Sequence, residues 1–101
     1  MQTTDPFGPH GQIEAEVNGV FITLTRTVDG GYTRRVWQGT HTYQGLGAGH
    51  TDLTLAAREC SAIRNRLIAG ERAIDVEDDY IARQQQVLAA TAEVLGEAVA
   101  A

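Results

Sequence analysis

Residues 12–17, Gln-Ile-Glu-Ala-Glu-Val, alternate strictly between polar and apolar. That period of two predicts a strand with one buried face. Asn18-Gly19 follows, and both residue types tolerate the positive φ that a two-residue hairpin turn needs. Residues 20–28 are β-branched and aromatic, as strand residues tend to be. A two-residue loop sets Val17 against Val20, Ala15 against Ile22 and Ile13 against Leu24, with all six on one face. A slip of one residue would destroy that agreement.

The second turn is Asp29-Gly30-Gly31, leading into a third strand over 32–38. A two-residue loop there opposes Leu24 to Arg35. A three-residue loop, with Gly31 in the left-handed position of a bulge, opposes Leu24 to Val36 and Val28 to Tyr32. The second register sets apolar against apolar and is the one expected. Residues 39–50 are rich in glycine and read as a loop joining sheet to helix. The spacing of Gly45, Gly47 and Gly49 does not match a dinucleotide-binding fingerprint.

The periodicity then changes to that of a helix. Over 51–69, Leu53, Ala56, Cys60, Ile63 and Leu67 form one apolar stripe. Thr51 or His50 starts this helix, Asp52 suits its first turn, and Gly70 suits the position just past its end. A second helix, over 76–97, is capped by Asp75 and carries Glu77, Asp78 and Asp79 in its positive first turn. Two apolar rows run along it, Ile81–Leu88–Leu95 and Tyr80–Val87–Val94. The short connection favours an antiparallel pair. The expected fold is therefore α+β, a three-stranded antiparallel β-meander followed by an antiparallel helical hairpin. Residues 1–10 form an N-terminal arm, frayed or pinned by Phe7, and residues 11–101 form a single domain. Ile22, Leu24, Val36, Ile63, Leu67, Ile81 and Leu88 are its expected core.

Composition narrows the function classes. A hydrophobic share of 43% suits a folded domain and is too high for a disordered chain. The net charge of −5 disfavours general binding to nucleic-acid backbone or anionic membrane, because the summed field repels phosphate. All the basic residues are Arg, a bias expected of a GC-rich bacterium or its phage. The single cysteine, Cys60, rules out an internal disulfide and reads as a buried structural thiol. No run is apolar enough to span a membrane, and the first residues lack a signal-peptide pattern, so a cytoplasmic protein, or a virion or other assembly made in the cytoplasm, is expected.

Candidate chemistry is sparse. His10, His41 and His50 lack the spacing of a metal site, and Ser61 lacks a nucleophile elbow. No catalytic residue, metal or cofactor is assigned, and an enzyme is not expected. The outer sheet face carries Glu14, Glu16, Phe21, Thr23, Thr25, Thr27, Thr33, Arg35 and Trp37. Phe21 and Trp37 lie diagonally near each other there and, with Arg35, form a candidate interaction surface. Phe7 of the arm or Tyr43 of the glycine-rich loop could equally cover them. On the inner face the expected register opposes Arg26 to Arg34, a candidate ion-pair or anion site. Carboxylates from Glu77, Asp78 or Asp79 are the favoured filling, and a bound phosphate is the other.

The two apolar rows on the second helix exceed what one antiparallel neighbour needs, which makes Tyr80, Val87 and Val94 a candidate homo-oligomer interface. The expected class is a small non-enzymatic protein–protein interaction module, an assembly, adaptor or regulatory protein that self-associates through this helix and meets another protein. The alternative is a nucleic-acid-binding regulator using Arg34, Arg35 and Trp37 on the sheet.

Overall fold

The computed structural model describes Phe7 and residues 11–100, with side chains through Gly96. The rest of the expected N-terminal arm, His10 included, lies outside the described residues. The chain forms an antiparallel sheet followed by two helices, the α+β meander-and-hairpin order expected. Strands β1 (Gln12–Val17), β2 (Val20–Arg26) and β3 (Tyr32–Gln38) are consecutive neighbours. The β1–β2 register is the expected one, with Val17 opposite Val20 and Ile13 opposite Leu24. Asn18 and Gly19 have φ of 53° and 83°, so the hairpin turn has both central residues left-handed.

The β2–β3 register corrects the sequence reading. Leu24 faces Arg34, Ile22 faces Val36, and Arg26 faces Tyr32. The connection is five residues, 27–31, and it is tied internally. Thr27 N donates to Gly31 O at 2.9 Å, and Gly31 N donates to the Thr27 hydroxyl at 2.9 Å. The Thr27 hydroxyl donates in turn to the Asp29 carboxylate. That bond and the Gly31 amide hold the Asp29 carboxyl below its ordinary pKa. The shift from the expected pairing is two residues, so every side chain keeps its face.

Residues 39–50 are more ordered than a loop. They contain strand β4 (His41–Thr42), a 3-10 turn over Gln44–Leu46 and strand β5 (Ala48–His50). Both strands pair with β3, β4 against its end and β5 against its start, which makes the sheet five-stranded. The turn drives Leu46 fully into the core.

Helix α1 (Leu53–Ile68) is capped by Asp52 itself, whose carboxylate accepts from Thr54 N at 2.8 Å and Leu55 N at 3.3 Å. Its far end closes on Gly70, at φ 97°. Gly70 N reaches Leu67 O and Glu71 N reaches Arg66 O, both at 3.1 Å, and these satisfy the terminal carbonyls. Ala56, Ile63 and Leu67 face the sheet and are buried, while Leu53 is exposed. Helix α2 (Ala73–Ala100) begins two residues earlier than Asp75. Asp75 lies in the first turn, where Arg72 pairs with it and lowers its pKa.

The core joins Ile22 and Val36 of the sheet to Tyr43, Leu46, Ile63, Leu67 and Val76. Phe7 caps one end of it, against Leu24, Ala56 and Tyr32. Ile81 and Leu88 do not belong to this core. Their exposures are 36% and 61%, because α2 packs on the body only through its first turns and then runs past it.

Candidate functional site

Three places carry the side chains singled out in the sequence. On the outer sheet face, Phe21 and Trp37 are directly opposite across β2 and β3, not diagonal. Their rings stack at 5.5 Å with an interplanar angle of 14°. The Arg35 guanidinium lies 5.7 Å from the Trp37 ring centre. Neither Phe7 nor Tyr43 covers this pair, since both are buried on the other side of the sheet. Glu14 and Glu16 share the face with Arg35, which leaves it with more acid than base.

On the inner face, Arg26 and Arg34 do not form a pair. The Arg26 guanidinium lies 4.8 Å from the Phe7 ring centre. Arg34 is only 4% exposed. Its Nε donates to Leu46 O at 2.7 Å, and its Nη1 donates to His50 Nε2 at 3.0 Å. A guanidinium has no acceptor to offer, so His50 accepts and carries its proton on Nδ1. Two of the three expected carboxylates are engaged elsewhere, and the third, Asp78, is exposed. Glu77 accepts from Gly45 N at 3.0 Å, and Asp79 pairs with Arg66 at 2.7 Å and Arg83 at 3.0 Å. Arg66 also grips Glu71, which raises the pKa of the arginine and lowers that of the carboxyl. Arg34 is thus a strut: it ties β3 to the 3-10 turn and to β5. It is unavailable to a ligand on the outer face, so the nucleic-acid reading keeps only Arg35 and Trp37.

The third place is α2. At 28 residues it is about 42 Å long. Tyr80 is half-buried on the core, and burial pushes its phenol pKa up. Beyond it every described residue is exposed: Val87 by 64%, Leu88 by 61%, Val94 by 63% and Leu95 by 60%. Gln84 and Thr91 lie between the two apolar rows. The Thr91 hydroxyl already donates to Val87 O at 2.8 Å, so covering it strands no donor.

His41 and His50 do not converge. His41 meets Tyr43 edge-on at 4.6 Å while His50 holds Arg34, and no group able to hold a metal occurs among the described residues. Cys60 is half-buried under the sheet, and burial raises its thiol pKa. It should react with a disulfide reagent at pH 8 more slowly than the same thiol in urea-unfolded chain. Equal rates would mean the thiol is open to solvent.

The sequence reading missed a groove beside β1. Ile13, Ala15, Ile22 and Leu24 form its floor, and Ala57, Cys60, Ser61 and Arg64 of α1 form its wall, around a volume of about 210 Å³. The only signal for it was small residues, Ala57 and Ser61, on the flank of an amphipathic helix. No helix of the described residues is long and apolar enough to cross a membrane. No family model, curated protein or solved structure matches the chain.

Proposed function

We propose that the chain is a non-enzymatic protein–protein interaction module, an assembly, adaptor or regulatory protein, that self-associates as a two-fold dimer through α2. One observation carries this reading: the helix continues for about five turns past the body, and Val87, Leu88, Val94 and Leu95 along it are exposed. An exposed apolar strip of that length is something monomers usually avoid. A second copy is the occupant that suits the strip best. Tyr80, Ile81, Gln84, Val87, Leu88, Thr91, Val94 and Leu95 carry no charge, so the face meets its own symmetry mate without like-charge repulsion. In a parallel two-fold pair Gln84 of one copy would meet Gln84 of the other near the seam and hydrogen-bond to it, which fixes register as a lone polar group does in coiled coils. The stacked Phe21–Trp37 pair, half-exposed and not covered by Phe7 or Tyr43, is the candidate contact for another protein.

Val87→Glu tests the reading. It sets a carboxylate on each side of an apolar seam and should weaken association by roughly a hundredfold or more. Val87 touches none of the core, so the folded body should keep its near-ultraviolet dichroism. Size-exclusion chromatography with light scattering would then give one chain's mass, 10.9 kDa, for the variant and twice that for the wild type. Loss of the body's fold in Val87→Glu would place these residues inside the monomer core and overturn the proposal.

A further inference from the structure

The second docking feature is the free edge of the sheet. Among the described residues β1 pairs with β2 alone. In the β1–β2 hairpin the closing pair is Val17 and Val20, so the odd positions 13, 15 and 17 turn their backbone groups toward β2. The even positions turn theirs outward. The bond from Gln12 N to Phe7 O at 2.8 Å fits this alternation, and it occupies the first outward amide. Among the described residues nothing occupies those of Glu14 and Glu16.

Two further features select that strand. The groove walled by Ala57, Ser61 and Arg64 opens beside this edge on the inner face, and Ile13 stays 36% exposed at its floor. On the outer face the edge displays Glu14 and Glu16, both exposed. Opposite residues in an antiparallel pair share a face, so two copies joined edge to edge would set these glutamates against each other. That repulsion guards the edge against self-pairing and suits a strand with cations at the same positions.

We propose that the β1 edge accepts an extended segment of a partner protein whose side chains alternate between basic and apolar. The basic side chains lie over Glu14 and Glu16, and the apolar ones fill the groove between Ile13 and α1. The backbone of the segment bonds the amides of residues 14 and 16 and adds one strand to the sheet. This occupant differs from the second copy on α2, and either reading stands if the other fails.

The probe is a capped peptide of about seven residues alternating lysine and valine, long enough to match β1. A block-scrambled peptide of the same composition controls for simple charge attraction. The Val87→Glu protein serves as a second background, so that α2 cannot supply the binding. Amide hydrogen exchange should slow at Glu14 and Glu16 with the alternating peptide and not with the scrambled one. Glu14→Lys with Glu16→Lys should weaken the lysine peptide roughly tenfold and favour a glutamate–valine peptide instead. Equal binding of the scrambled peptide, or unchanged exchange at both amides under saturating peptide, would overturn the proposal.

Discussion

Ile63→Ala is expected to lower the stability of the body by about 2–5 kcal/mol, a shift of at least roughly 8 °C in melting temperature. Ile63 is fully buried, at the centre of the cluster that joins Ile22 and Val36 to Leu46, Leu67 and Val76. Truncation leaves a void that α1, held at one end by Asp52 and at the other by the Gly70 closure, cannot collapse to fill. A domain of this size has about 5–15 kcal/mol in all, so the loss is a large fraction. Leu88→Ala makes the contrast. It removes as many carbons from a side chain that is 61% exposed, and should cost the isolated body less than about 0.5 kcal/mol. Its effect on melting should appear only at concentrations where the protein associates. Equal losses for the two variants, independent of concentration, would place Leu88 in the core.

Gly45 is expected to be as sensitive as the core. A Cβ there would lie 2.7 Å from Ile81 Cγ1 and 2.8 Å from Glu77 Cγ. These atoms are near the α2 backbone and cannot swing away as a flexible chain end could. The Gly45 amide also donates to Glu77 Oε2, so the 3-10 turn is clasped onto α2 at this point. Gly45→Ala should cost about 1–3 kcal/mol, and Gly45→Val more, as α2 is prised from the turn. Urea unfolding would check this, and a loss under about 0.5 kcal/mol would show that α2 shifts at no cost. The residue read in the sequence as part of a loop joining sheet to helix is the point where the first turns of α2 are seated.

That misreading shows where legibility ended. The first hairpin was readable in full because Asn18-Gly19 fixes the loop length and the strict alternation of 12–17 fixes the face. The second hairpin was readable by face and not by partner. Its five-residue loop depends on the Thr27–Asp29–Gly31 bonds, which no periodicity reports, and an even slip leaves the pattern of buried faces unchanged. Strands of two and three residues, His41–Thr42 and Ala48–His50, are too short to show a period at all. The same limit hid the fate of Arg34, whose partners are a carbonyl and an imidazole contributed by that segment.

The two apolar rows of α2 were plain in the sequence, but a row of apolar residues does not say what covers it. Ile81 and Leu88 read as core because most amphipathic helices lie on their own domain. The structure shows α2 leaving the body beyond Ile81, so rows that read as packing are exposed instead. The aromatic pair was legible as a surface, and its stacking followed only once the register was known.

Sedimentation equilibrium of the wild-type chain tests the proposed dimer most directly. At about 100 μM the weight-average mass should approach twice 10.9 kDa and should fall toward 10.9 kDa on dilution below the dissociation constant. A mass that stays at 10.9 kDa from micromolar to several hundred micromolar, with α2 still helical by circular dichroism, would contradict self-association through this helix.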